Sequence, residues 1–282
     1  MAVAILLAAA VWAPPARADG LKPFKDDLFA YRVIESADGG DFQRVDYDEM
    51  RDINGRDQIP ERRVKRAYVD LGVKKVQADE VIEIGGRGLP VTRVGRAEGA
   101  AFTVIFIHGR GGDRRLGAND YSFGGNFNRL KNLAAGNGGA YYAPSVPSFD
   151  AAGVTAVAAL IGEAARRSPG RPVVLACASM GSFVCWGIAR DPEATALLAG
   201  MIVMGGASDA TFARTAAGKR RLPLYLSHGS RDSVYAADSQ ADLYAGLHRQ
   251  GYPVRFVLFE SGSHGTPVRM TDWRDALNWI LR

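Results

Sequence analysis

From about residue 67 onward the chain alternates continuous apolar runs with segments of helical period, and that alternation restricts its fold more than any other feature. "FTVIFIHG" (102–109) is a continuous apolar run of the kind that a strand covered on both faces requires, and "PVVLACAS" (172–179), "AGMIVMGGAS" (199–208), "LPLYLSHGS" (222–230) and "VRFVLFES" (254–261) also read as strands. Between and after them, "FNRLKNLAA", "AAGVTAVAALIGEAARRS", "MGSFVCWGIARDP", "AADSQADLYAGLHRQG" and "PVRMTDWRDALNWILR" read as helices. Pro169-Gly170 ends the second of these and Gly251 caps the fourth. "AYVDL", "EVIEI", "LPVTRVG" and "GAYYAPSVPSF" read as further short strands separated by turn residues. Strands alternating with helices predict an α/β fold, with a mostly parallel central sheet and helices on both faces. No fixed-period repeat or low-complexity linker divides the chain, so residues 67–282 read as one domain.

Residues 19–66 are charged, mixed and without a sustained period, and read as an arm packed on that domain. Residues 1–18 run through an apolar stretch into Ala16-Arg17-Ala18, the form of a secretory signal cleaved after Ala18. The stretch is too short to span a bilayer, and no Lys or Arg stands between Met1 and the apolar run. The expectation is export to the periplasm or the exterior, without stable membrane insertion.

The charge balance, 35 Lys+Arg against 30 Asp+Glu, is spread as arginines among acids and reads as a solvated basic surface. No nucleic-acid-binding module accompanies it, and no nucleic-acid partner is expected. Gly85-Gly86-Arg87-Gly88 and Gly109-Arg110-Gly111-Gly112 do not give the G-x-G-x-x-G spacing of a dinucleotide site, so no cofactor is expected. Two cysteines, Cys177 and Cys185, are too few for a metal site. The first ends a strand and the second sits in the following helix, so both read as small buried hydrophobes rather than as a disulfide.

Ligands of an open parallel sheet bind at the carboxyl ends of its strands. Those ends carry His108-Gly109-Arg110-Gly111-Gly112, Cys177-Ala178-Ser179-Met180-Gly181, His228-Gly229-Ser230-Arg231-Asp232 and Ser261-Gly262-Ser263-His264-Gly265. A serine, an aspartate and a histidine thus appear in that chain order, each just after a strand. The arrangement resembles the α/β-hydrolase superfamily, serine esterases and lipases without a lid, whose nucleophile elbow G-x-S-x-G links a strand to a helix. The resemblance covers roughly residues 67–282. It implies Ser179 as nucleophile, His264 as base and Asp232 as the acid, with the backbone N–H groups of Met180 and Arg110 as an oxyanion hole. One departure is visible: Cys177 replaces the first glycine of the elbow, where a small side chain is required.

Each assignment has a plainer alternative. Ser179 can be a structural turn residue, and Asp232 an N-cap of the next helix. Asp209, after the preceding strand, is a rival acid. His108 and His228 precede glycines at strand ends and read as structural, and His248 lies where a cation suits a helix C-terminus. Arg110, Arg114 and Arg115 form a basic group from which one arginine can meet an anionic substrate part. Tyr121, Phe123 and Phe127 either line a substrate pocket or pin their loop to the core.

Only about 16 residues separate "MIVMGG" from "LPLYLS", too few for a capping domain. The resulting expectation is a serine hydrolase that cleaves small soluble carboxylic esters through an acyl-enzyme. Acyl transfer, thioester or peptide cleavage by the same residues, and a non-catalytic exported binding protein, are the alternatives.

Overall fold

The computed structural model describes residues 20–59 and 62–282. The expected signal segment, residues 1–18, lies outside the described residues. Among the described residues there are twelve strands: β1 Arg32–Ala37, β2 Phe42–Asp46, β3 Asp57–Gln58, β4 Arg63–Val64, β5 Gln77–Ile84, β6 Arg87–Gly95, β7 Thr103–Ile107, β8 Ala140–Pro144, β9 Val173–Ala178, β10 Leu198–Met204, β11 Leu224–Gly229 and β12 Val254–Glu260. Ten of them form one sheet in the order β1-β2-β12-β11-β10-β9-β7-β8-β6-β5, and β3 pairs with β4 separately. From β2 through β8 every neighbouring pair is parallel, whereas β1–β2, β8–β6 and β6–β5 are antiparallel.

The central strands explain the apolar runs. Every residue of β7, β8, β9 and β11 is buried, because helices cover both faces. One face packs on the helices Ala151–Arg167, Gly181–Arg190 and Ala237–His248, through Leu160, Val184 and Leu247. The other packs on Asn126–Gly136 and Trp273–Ile280, through Phe127, Leu130, Trp273 and Leu277. Asp150, Asp191 and Asp272 cap helix N-termini with their carboxylates, each satisfying backbone donors that the helix itself leaves open.

Local readings change in three places. "AYVDL" is not a strand: Arg66–Tyr68 and Leu71–Val76 are 3₁₀ turns, the second started by the Asp70 carboxylate, which accepts from Gly72 N–H. The C-terminal helix is two helices, Thr266–Met270 and Trp273–Ile280, because Asp272 caps a new start. The arm does more than pack on the domain, since β1 and β2 extend the central sheet beside β12. Its next segment braces the loop after β7. Val64 N–H donates to Tyr121 O, and the Arg56 side chain lies against Gly124 while its guanidinium sits over the Phe29 and Tyr68 rings.

Candidate active site

Ser179 stands at a sharp reversal between β9 and the helix Gly181–Arg190. Its φ is +52°, a left-handed conformation that costs a non-glycine residue energy and is retained only where the surroundings enforce it. Here Ser179 N–H donates to Met204 O at the end of β10, and Ser182 N–H donates back to Ser179 O. Close approach is possible because neighbouring residues lack side chains. A Cβ on Gly181 would stand 2.7 Å from His108 O, and one on Gly206 would stand 2.5 Å from Ser182 Cβ.

The three strand-end residues meet. His264 Nε2 lies 2.8 Å from Ser179 Oγ, and His264 Nδ1 lies 2.8 Å from Asp232 Oδ2. A carboxylate only accepts, so Nδ1 carries the proton and Nε2 is left to accept from the serine hydroxyl. Asp232 has no exposed side-chain surface, while His264 retains 29%. Asp232 Oδ1 accepts from Val234 and Tyr235 N–H, which fixes the carboxylate on its turn. It does not cap the next helix, which starts at Ala237. Asp209 is engaged elsewhere, by Arg190 and by Thr211.

The loop after β7 passes over the serine. His108 Nε2 accepts from Val146 N–H, so its Nδ1 is the protonated nitrogen and donates to Gly109 O. In a trans peptide the C=O and the next N–H point in opposite directions, and the Arg110 N–H therefore points away from the His108 ring. Neither Arg110 N–H nor Met180 N–H has an acceptor among the described residues. Both residues line the cavity that Ser179 and His264 share.

That cavity has a volume of about 470 Å³ and walls of Leu116, Phe123, Met204, Val234, Tyr235 and Val268. Of the three loop aromatics, only Phe123 lines it. Phe127 is buried against Phe106, and the Tyr121 ring stacks under the Arg63 guanidinium at 4.2 Å. Of the three loop arginines, Arg114 pairs with Asp79 and Arg115 with Asp113, whereas Arg110 is the only Lys or Arg among the described residues that line the cavity. Arg115 and the amide of residue 115 hold the Asp113 carboxyl below its usual range. The segment between β10 and β11 holds only the short turns Phe212–Arg214 and Ala216–Lys219.

The cysteine reading is corrected. Cys177 and Cys185 form a disulfide, with Cα atoms 6.2 Å apart. The reversal at Ser179 folds the first two turns of the helix back along β9, so the two buried side chains meet although one belongs to a strand and the other to a helix. His248 ends its helix as expected, 3.8 Å from Asp38 and stacked on Tyr244.

Residues 104–281 match the model of the Alpha/beta hydrolase family. No curated protein matches the chain. Among solved structures, a thermostable esterase superposes with a TM-score of 0.60 at 18% identity, over 74% of this chain and 63% of the esterase. This chain therefore spans less than two thirds of that esterase. An α/β serine hydrolase without a lid from Xanthomonas campestris superposes with a TM-score of 0.52 at 18% identity, over 73% and 94% of the two chains. An esterase from Pyrococcus furiosus superposes with a TM-score of 0.52 at 13% identity, over 73% and 91%.

Proposed function

The chain belongs to the alpha/beta hydrolase family; on that premise we propose that it is a hydrolase that cleaves carboxylic esters through an acyl-enzyme formed on Ser179. The observation that carries the proposal is the unbroken line of contacts from Asp232 through His264 to Ser179, 2.8 Å at each step. His264 Nε2 takes the hydroxyl proton as Ser179 Oγ bonds to the ester carbon, and returns it to the departing alkoxide. Asp232 holds the ring in the tautomer this requires and stabilises the imidazolium. The N–H groups of Met180 and Arg110 receive the negative oxygen of the tetrahedral intermediate, a contribution of about 3–4 kcal/mol for each such donor. Water then enters and the same residues release the acid.

Apolar walls and the short segment between β10 and β11, where no cap stands among the described residues, suit small or medium soluble esters. Export fits the buried disulfide, since such bonds persist in oxidising compartments.

A fluorophosphonate probe tests the reading. Labelling of the intact protein is expected, with none in Ser179→Ala. On the best of a panel of p-nitrophenyl esters, amides and thioesters, kcat should fall about 10⁶-fold in that variant. Asp232→Asn should lower it about 10⁴-fold. An intact protein that neither labels nor turns over an ester removes the proposal.

A further inference from the structure

A second histidine reaches the same carboxylate oxygen as His264. His228 Nε2 lies 3.2 Å from Asp232 Oδ2 and 3.0 Å from Tyr235 O. Its Nδ1 lies 3.0 Å from Gln240 Oε1. The Gln240 amide is oriented by its other end, because Nε2 lies 3.0 Å from Gly206 O, a carbonyl that can only accept. Nε2 is therefore the donor end, and Oε1 is the atom facing His228. Both ring nitrogens of His228 thus face oxygens that have no hydrogen to give. A neutral imidazole has one donor and one acceptor nitrogen, and would leave one of these contacts as two opposed lone pairs. Turning the Gln240 amide over only moves that clash to Gly206 O.

His108 provides the contrast within the same chain. It faces one donor, Val146 N–H, and one acceptor, Gly109 O, and a neutral ring satisfies both. His228 faces acceptors alone, in a site with no solvent exposure. The extra proton must sit on His228 or on Asp232. Asp232 already accepts from Val234 N–H, Tyr235 N–H and His264 Nδ1–H, and such donors favour the ionised carboxylate.

We propose that His228 is a buried imidazolium paired with Asp232, and that its charge lowers the pH at which His264 takes up a proton. It is a positioning residue: it touches the carboxylate, not the substrate. The two rings are separated by no more than the two contacts laid end to end, about 6 Å, close enough for one charge to be felt by the other. The other groups facing this pair are few. From its own turn come Asp232 and Tyr235, and from the helix Ala237–His248 comes the neutral Gln240. From the turn after β10 come the Gly205 and Gly206 backbones, and from the cavity wall comes Arg110, which acts on the Tyr235 phenol. With His228 charged, Asp232 is shared between two cations, and protonating His264 gains less from it. The proposal deepens the serine-hydrolase reading, since it concerns the pH range in which His264 serves as base.

The test is made on the full chain labelled with ¹⁵N-histidine. At pH 8, His228 should show protons on both ring nitrogens, and the His264 ring should titrate about one pH unit higher in His228→Gln than in the unaltered protein. A single ring proton on His228, or an unmoved His264 titration in a folded variant, overturns the proposal. If His228→Gln does not fold, through-bond correlation identifies the ring in the unaltered protein, and the proton count there decides alone. Neither reading requires turnover. Failure of both fluorophosphonate labelling and ester turnover would remove the esterase proposal and leave this result standing.

Discussion

A Cβ added to Gly109 would stand 2.8 Å from Ser179 Cβ and 3.2 Å from its hydroxyl oxygen. The glycine is required by contact with the serine, since its φ is not among the left-handed ones. The nearest atom is Ser179 Cβ, which no rotation of the side chain moves, and the hydroxyl is already hydrogen-bonded to His264. Gly109→Ala should therefore displace the hydroxyl or the loop carrying Arg110. A displacement of about 1 Å can cost on the order of 10²-fold in rate. A fall in probe labelling of that size is expected, with far-ultraviolet circular dichroism unchanged. Labelling at the native rate would show that the loop yields without moving the serine.

Arg110 is the charged side chain that the cavity wall offers to a bound molecule, because Arg114 and Arg115 already face Asp79 and Asp113. The substrate preference that follows concerns charge. Arg110→Ala should raise KM about tenfold for esters bearing a carboxylate, the loss of one charge-assisted contact of about 1.4 kcal/mol, and leave neutral esters of the same length nearly unchanged. The backbone N–H at position 110 survives this substitution, so kcat should change little. Equal KM effects on charged and neutral esters would assign Arg110 to the solvated surface. Arg114→Ala and Arg115→Ala are expected to affect neither.

The parts of this molecule that were legible in the sequence are those whose chemistry and pattern coincide. β7, β9, β10 and β11 were legible because burial on both faces leaves a strand almost wholly apolar, and β12 because Val254, Phe256, Val257 and Phe259 are buried in it. Ser179, Asp232 and His264 were legible because they follow such strands. β1 was not, since its residues lie exposed at the sheet edge and carry no apolar pattern. "AYVDL" has the composition of a strand, but the Asp70 side chain starts a turn inside it. The Cys177–Cys185 bond depends on how tightly the chain reverses at Ser179, and residue spacing does not report that. The His228 contacts depend on Gln240 and Gly206, brought in from two other elements, and the motif "HGSRD" contains only the carboxylate end of them.

The disulfide ties the strand before Ser179 to the helix after it, across a sequence separation of 8. Closing so short a loop removes about 2.5 kcal/mol of chain entropy from the unfolded state. A Cys177→Ala/Cys185→Ala protein should melt roughly 5–10 °C lower. Both sulfurs are buried, so dithiothreitol should act on the native protein only as fast as the elbow opens. Thermal unfolding of the double variant, with and without reductant, checks both points. A melting temperature unaffected by the double substitution would show that packing alone holds the elbow.

Acid stability rests on a network at the sheet edge opposite β1. Glu163 in the helix Ala151–Arg167 pairs with Arg166 and Arg167, and Arg167 also pairs with Glu80 in β5, which in turn meets Arg93 in β6. The Arg166 hydrogen bonds, aided by Arg167, hold the Glu163 carboxyl down to about 2 against the opposing effect of burial. Burial alone would raise Glu80, but Arg167 and Arg93 outweigh it and hold that carboxyl low as well. A carboxylate whose folded value is depressed binds fewer protons folded than unfolded. Its stabilisation is complete above the unfolded value near pH 4.5 and is lost as pH falls toward 2. Because part of the network is solvent-exposed, the loss attributable to Glu163 is about 1–2 kcal/mol. Urea unfolding between pH 5 and pH 2.5 should therefore show a shallower decline in Glu163→Gln than in the parent, the two converging at the acid end. Parallel declines would mean that Glu163 titrates alike in the folded and unfolded chains, and that the ion pairs on this edge do not govern the acid response.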